Sequence, residues 1–219
     1  MIEHTTLTSA DGFVFNAIAA KPKGEPIGGV VVAQEIFGLT DHIADMCGVF
    51  ADAGYAVLAP SLYDRFEPNF IASHDAEGID KGRAAVMATK WKTVTADVQA
   101  CIDALPQPVY VTGFCYGGAV AWNAAARCTG VKAVSCFYGR MIVDMLEPKP
   151  AAPVMLHYGA RDASIPPENY ETVRLAAPDS PLYLYDAGHG FCRAGSHDYY
   201  APSRDLAVAR TLDWFARWR

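Results

Sequence analysis

The sequence predicts an α/β fold in which helices cover both faces of a mostly parallel sheet. Short apolar runs alternate with longer helical segments along the whole chain, as in folds built from strand–helix–strand units. The run Gly29–Ala33 reads GVVVA, which is typical of a strand buried on both faces of a parallel sheet. The chain has 219 residues without a repeat or linker. We therefore expect one domain spanning residues 1–219.

The remaining elements follow in order. Thr5–Ser9 is predicted to pair with Phe13–Ala19 through the Asp11-Gly12 turn. Residues 61–75 are irregular and suit a loop that faces a substrate. Ligands of such sheets bind beyond the carboxyl ends of the strands, so chemically active residues should directly follow strands. Further strands are predicted at Tyr55–Ala59, Val109–Thr112, Ala133–Phe137, Pro153–Tyr158 and Leu182–Tyr185, and helices at 42–53, 79–105, 115–126 and 203–218, the last capped by Ser203.

Composition excludes several classes of protein. Apolar residues make up 52% and charged residues 19% of the chain, which argues against disorder. The net charge is −6 and the 18 Lys and Arg residues are scattered, so nucleic acid is not an expected partner. No apolar stretch approaches the roughly 18–20 residues of a membrane span, and the polar N-terminus does not resemble a signal peptide. We expect a cytoplasmic protein; the oligomeric state stays open, and a monomer fits.

The six cysteines are irregularly spaced, unlike a disulfide framework or a CxxC site. No His/Cys cluster has metal-ligand spacing, so we expect neither a metal nor an organic cofactor. Cys47, Cys101, Cys128 and Cys136 fall on predicted helices or strands and are interpreted as small core residues, whereas Cys192 is left open.

One cysteine lies in a distinctive motif. The segment from Gly113 to Gly118 reads GFCYGG and links a predicted strand to a predicted helix, which is the setting of a nucleophile elbow. Gly113 and Gly117 permit the close backbone approach of a sharp turn, and the helix N-terminus favours a thiolate on Cys115. The backbone N–H of Tyr116 would contribute to an oxyanion hole. The alternative is a glycine-rich turn with an inert cysteine.

A cysteine nucleophile needs a base and a group that orients the base. Downstream of the elbow, Asp162 follows the strand Pro153–Tyr158 and His189 follows the strand Leu182–Tyr185, in the order that elbow enzymes use. Three rivals are weaker candidates by position: His157 lies inside a strand, His197 lies in a loop, and Asp186 is close enough to His189 to shape its turn.

Four segments resemble the dienelactone hydrolase family: GFCYGG, the QEIFG run at Gln34–Gly38, the DASIP acid loop and the AGHGF histidine loop. The resemblance implies an α/β-hydrolase fold without a lid domain and a triad of Cys115, Asp162 and His189. It also implies that the N–H of Ile36 completes the oxyanion hole.

The resemblance assigns further roles. Glu35 matches a glutamate that contacts the thiol in the resting enzyme and helps to generate the thiolate; the alternative is a structural carboxylate paired with an arginine. Arg65 and Arg193 match arginines that hold a substrate carboxylate, for which guanidinium forks are suited; a surface ion pair is the alternative for each. Tyr138 matches a pocket-lining position more weakly. Residues 66–83, including His74, depart from the family pattern.

These assignments predict a cysteine hydrolase that acts through a thioester. The resemblance implies that its substrate is a small, unsaturated, carboxylate-bearing lactone, as in bacterial breakdown of chlorinated aromatics. One alternative is a carboxylesterase or thioesterase of the same fold, with structural arginines. Another is a non-catalytic or redox-responsive thiol protein, which a broken triad would indicate; the sequence shows an intact one.

Overall fold

A computed structural model, which describes residues 2–219, contains an eight-stranded sheet flanked by helices. The strand order is β1-β2-β4-β3-β5-β6-β7-β8. Strands β1 and β2 are antiparallel to their neighbours, and all other pairs are parallel. The predicted α/β class is thus confirmed. The strands are β1 Ile2–Thr8, β2 Val14–Ala20, β3 Gly29–Ala33, β4 Ala56–Pro60, β5 Val109–Phe114, β6 Val131–Phe137, β7 Val154–Gly159 and β8 Leu182–Tyr185. The helices are α1 Asp41–Asp52, α2 Ala76–Ala88, α3 Trp91–Ala104, α4 Tyr116–Arg127, α5 Pro167–Ala176 and α6 Ala201–Arg217, with a short 3-10 helix at Arg140–Asp144.

The two central strands, β3 and β5, are buried along their whole length. Right-handed crossovers place α1 and α3 on opposite faces of the sheet. On one face α1 and α6 pack together, with the rings of Phe50 and Phe215 centred 6.2 Å apart. On the other, α3 and α4 are joined by a 2.7 Å hydrogen bond from Asn123 Nδ2 to Thr95 Oγ1. All parallel strands therefore end at one edge, where the loops converge.

The single long helix predicted over 79–105 is wrong, because the chain forms two helices, α2 and α3. Thr89 and Lys90 adopt extended backbone conformations between them. The Thr89 hydroxyl donates 2.7 Å to the carbonyl of Ala85, a local bond that competes with helix continuation. Trp91 then packs against Tyr116, with ring centroids 5.7 Å apart. The predicted segment has no proline, and its glycine lies only near its start, so local sequence does not mark the break. Tertiary packing therefore interrupts the helix.

Two smaller differences concern α5 and α6. The α5 helix, which begins with proline in its first turn, was not predicted. Ser203 lies inside the first turn of α6, and Tyr200 occupies the cap position without a side-chain capping bond. The predicted irregular loop over 61–75 contains turns and one isolated bridge. Buried Asp64 fixes this loop by accepting hydrogen bonds from Ser61 and Asn16 at 2.6–2.8 Å.

Candidate active site

Cys115 lies at the turn between β5 and α4, in a backbone conformation that L-residues rarely adopt. Its φ is +55° and its ψ is −114°, which is the local strain typical of an elbow. A Cβ at Gly113 would overlap the carbonyl of Gly117, and a Cβ at Gly117 would overlap the carbonyl of Ala33. Only glycine permits this packing. The turn leaves the Cys115 side chain partly exposed at the start of a 12-residue helix.

Asp162 and His189 lie beside the elbow, as their positions after β7 and β8 predict. His189 Nδ1 is 2.6 Å from Asp162 Oδ2. The Asp162 side chain is fully buried, whereas 29% of the His189 side chain is exposed. The structure thus brings Cys115, His189 and Asp162 to one edge of the sheet, with part of the His189 ring accessible to solvent.

The surroundings of His189 and Asp162 favour the charged form of each residue. Burial lowers the pKa of His189, but the charge and hydrogen bonding of Cys115 and Asp162 more than offset this and raise it to about 10. For Asp162, burial opposes ionisation, yet hydrogen bonds from His189 and Ser164 hold its pKa below the usual range. These shifts favour an ion pair between the Asp162 carboxylate and the His189 imidazolium.

Ser164 is a site residue that sequence reasoning missed. Its N–H and its hydroxyl donate 2.8 and 2.6 Å to Asp162 Oδ1, and its Oγ lies 3.1 Å from His189 Nδ1. The available signal was the serine two residues after an aspartate, a spacing typical of a side-chain turn. Ser164 thus fixes the carboxylate that bonds to His189.

The two backbone N–H groups predicted to form an oxyanion hole belong to neighbouring segments. Tyr116 begins α4 directly after the nucleophile, and Ile36 lies in the tight turn closed by the Glu35–Gly38 bridge. Within residues 2–219 the N–H of Ile36 has no backbone or side-chain acceptor. Because Gly117 packs on the end of β3, the two donor segments are held against one another.

Glu35 pairs with Arg193 in the structure. Its side chain is completely buried, and its Oε2 accepts a 2.7 Å hydrogen bond from Arg193 Nη1. The other oxygen, Oε1, is buried without a hydrogen-bond partner in the described part of the chain. Glu35 is thus paired with an arginine, as the alternative interpretation predicts. Its unpartnered oxygen leaves the carboxylate free to accept one more hydrogen bond.

The structure overturns the expectation that Arg65 binds a substrate carboxylate. Its guanidinium donates 2.8–3.1 Å to Asp97 and 2.8–2.9 Å to Asp11, and it lies 4.2 Å from the centre of the Phe13 ring. These partners raise the pKa of Arg65 further above its ordinary value. The arginine therefore ties the N-terminal hairpin to α3, and its donors are directed at protein carboxylates instead of a substrate.

Tyr138 is fully buried, and its ring packs edge-to-face on His189 with centroids 5.1 Å apart. Tyr138 has no exposed surface with which to make the predicted direct contact with a substrate. Its ring supports His189 instead. The weaker rivals lie elsewhere: His157 is buried in the sheet, His197 is almost fully exposed, and Asp186 pairs with Arg161 at 3.1 Å on the surface.

All six cysteines are free thiols. Burial raises the pKa of Cys47 and of Cys128, each to about 12, and it raises that of Cys192 well above its ordinary value. Among residues 2–219, no group of three or more His, Cys, Asp or Glu side chains is arranged to hold a metal ion. None of the helices in that range is long and apolar enough to span a membrane.

Comparison with known proteins identifies the family to which the chain belongs. The model of the dienelactone hydrolase family matches residues 15–218. The chain belongs to this family. It is 30% identical to the carboxymethylenebutenolidase of Pseudomonas putida, with 99% of this chain and 97% of that protein covered. It is also 32% identical to a provisionally named carboxymethylenebutenolidase of Yersinia pestis, over 97% of this chain and 87% of that protein.

Solved structures show the same relationship. A provisionally named dienelactone hydrolase from Klebsiella pneumoniae superposes with a TM-score of 0.86 at 31% identity, and each chain is fully covered. A dienelactone hydrolase-like promiscuous phosphotriesterase from metagenomic libraries has a TM-score of 0.79 at 23% identity, which bears on the fold alone. This dienelactone hydrolase family member is thus a hydrolase with the α/β-hydrolase fold.

Proposed function

We propose that the chain hydrolyses a small lactone or ester through a thioester on Cys115. The observation that carries this proposal is the alignment of Asp162 and His189 with the strained cysteine at the elbow. An inert core thiol does not require a positive φ, a buried acid and a histidine of raised pKa.

The reaction follows from the positions of these groups. The Cys115 thiolate attacks the carbonyl carbon, and the N–H groups of Ile36 and Tyr116 donate to the resulting oxyanion. The carbonyl–oxygen bond of the ring then breaks, and the leaving oxygen takes the proton from His189. His189, oriented by Asp162, next removes a proton from water, which attacks the thioester. The sulfur departs as thiolate, so the enzyme is regenerated.

Arg193 supports recognition of a substrate carboxylate beside this centre. One of its guanidinium nitrogens bonds to Glu35, and its remaining donors are available to a second carboxylate. With Arg65 withdrawn into the hairpin contact, we propose a single arginine anchor where the sequence predicted two. By this proposal the substrate is a small lactone that bears one carboxylate, and a cytoplasmic location stays a prediction.

A neutral ester or thioester is the second candidate substrate. The observation that favours it is the pairing of Arg193 with buried Glu35, which leaves the pocket without an uncompensated positive charge. A carboxylated substrate must share the arginine with Glu35, whereas a neutral one does not.

The test of the nucleophile is Cys115→Ala, with Cys128→Ala as the matched control at another partly exposed thiol. We expect a loss of at least about 10³-fold in kcat for lactone and aryl ester, and an unchanged circular dichroism spectrum. Substrate should also slow alkylation of Cys115 in the native protein. Full activity in Cys115→Ala would refute the proposal.

The test of the anchor compares Arg193→Gln with Arg65→Gln on a carboxylated lactone and a neutral aryl ester. Arg193→Gln should raise KM for the carboxylated lactone by about 10-fold or more, because a charge-assisted bond is lost, and change the neutral ester far less. Arg65→Gln should affect the two substrates equally. An equal loss on both substrates in Arg193→Gln would favour the neutral ester.

A further inference from the structure

Residues 66–83, which depart from the family pattern, have no part in the reaction proposed above. Their second half enters α2, which is capped by Asp75 through a 2.8 Å hydrogen bond from the N–H of Gly78. The buried residues of α2 are Gly78, Gly82 and Ala85. Because two of these three have no side chain, the helix meets the rest of the fold largely through its backbone.

Gly82 brings the backbone of α2 against Ile36. A Cβ at Gly82 would lie 2.6 Å from the carbonyl oxygen of Ile36, and 3.1 Å from both its carbonyl carbon and its Cβ. Gly82 lies inside the helix and has no positive φ, so its backbone conformation is open to any residue. What requires glycine at this position is the approach of a second main chain, which a side chain would push away.

The turn that begins at Ile36 is held at its other end by the residues that precede α2. Gly38 forms a bridge to Ile71, and the N–H of Ala72 donates 3.0 Å to the carbonyl of Phe37. Within the described part of the chain, Ile36 itself makes no backbone hydrogen bond through its N–H or its carbonyl. Its orientation is therefore set by packing, and α2 supplies the contact on its carbonyl side.

We propose that Gly82 is a positioning residue: by letting α2 pack on the Ile36 backbone, it directs the Ile36 N–H into the oxyanion hole. This role rests on the function proposed above, in which that N–H donates to the oxyanion. A side chain at position 82 would displace the donor. The loss would fall on the transition state, because the negative charge on the carbonyl oxygen develops only there and not in the bound ester.

The experiment compares Gly82→Ala with Gly48→Ala, a matched change inside α1, where the added Cβ would meet only Ile2 Cδ1 at 3.9 Å. In Gly82→Ala, kcat for an aryl ester should fall about 10- to 100-fold while KM stays within about 3-fold, as for an interaction made only in the transition state. Gly48→Ala should keep the native kcat and KM, and its melting temperature should be equal or higher because alanine is the better helix former.

Alkylation of Cys115 by iodoacetamide separates this effect from damage to the elbow. The thiolate displaces iodide at a saturated carbon, so no oxyanion forms and the Ile36 N–H is not needed. The alkylation rate should therefore be the same in Gly82→Ala and in the native protein. In ¹⁵N-labelled protein, the amide resonances of residues 35–38 should shift more than those of residues 115–118. An equal slowing of alkylation and of ester hydrolysis would place the damage at the thiol and overturn the proposal.

Asp75→Ala gives a second readout if Gly82→Ala does not fold. Loss of the cap loosens the first turn of α2, so kcat should fall about 3-fold at unchanged KM, whereas Asp80→Ala, which removes an exposed carboxylate from the same helix, should have no effect. A native kcat in folded Gly82→Ala, or in Asp75→Ala where only that variant folds, would overturn the role of Gly82. Full activity in Cys115→Ala would instead refute the proposed function, so the two failures are distinguishable.

Discussion

His157 and His189 both lie in the carboxyl half of the chain, and at least one ring nitrogen of each has a hydrogen-bond partner, yet they have opposite charge preferences. His157 is completely buried, and the hydrogen-bond partners of its ring nitrogens are hydroxyls: Tyr185 at 2.8 Å, Ser135 at 3.0 Å and Thr211 at 3.2 Å. Burial, together with the charge of Arg210, lowers its pKa to about 3. His189 faces a carboxylate and a thiol, and its pKa is raised to about 10.

The contrast shows that partner chemistry outweighs burial. Both rings are penalised for carrying charge in a poorly solvated site, but a hydroxyl offers a dipole, whereas a carboxylate offers a full opposite charge. His157 is therefore a neutral structural ring that joins β6, β7, β8 and α6. His189 is poised for proton transfer. Three predictions test this division.

The largest expected effect is on catalysis at His189. His189→Gln keeps a polar side chain but cannot exchange protons, so kcat should fall at least about 10³-fold, or ~4 kcal/mol in activation free energy. The melting temperature should change little. Steady-state kinetics with an aryl ester, alongside thermal unfolding, measure both quantities. If His189→Gln lost stability but kept its kcat, His189 would be a structural residue like His157, and the prediction would be wrong.

His157→Leu should show the reverse pattern. The apolar side chain removes one hydrogen-bond partner from each of the hydroxyls of Ser135, Thr211 and Tyr185, and the free energy of unfolding should fall by about 2–4 kcal/mol. Activity per folded molecule should stay within about 3-fold of the native value. Urea unfolding combined with kinetics below the transition tests this. A variant as stable as the native protein would show that the network is dispensable.

The smallest effect is a pH dependence of stability. Since His157 binds its proton at about pH 3 when folded and near pH 6.5 when unfolded, its contribution is constant above pH 6.5 and is lost as the pH falls toward 3. The expected slope is ~1.4 kcal/mol per pH unit, or about 2 kcal/mol between pH 6.5 and 5. Urea midpoints at these two pH values measure it. His157→Leu should lack this component, and equal slopes in the two proteins would contradict the assignment.

The parts of the molecule that sequence predicts well depend on local patterns. The GVVVA strand and the glycine-flanked Cys115 are determined by neighbours in the chain, and the convergence of Asp162 and His189 follows from strand ends sharing an edge. Arg65 shows where such reasoning fails: its choice of Asp97 and Asp11 over a substrate depends on how the hairpin packs against α3. The break at Thr89 and the partner of Glu35 are tertiary outcomes of the same kind.

The absence of a Cβ at Gly117 has a consequence for how this enzyme can evolve. Its close approach to the end of β3 makes the separation between the Ile36 and Tyr116 amides a property of the main chain, not of any side chain. The geometry of the proposed oxyanion hole should therefore be insulated from substitutions around the pocket. If Arg193 anchors the substrate as proposed, substrate preference can change through Arg193 and its neighbours while the reaction itself is inherited unchanged.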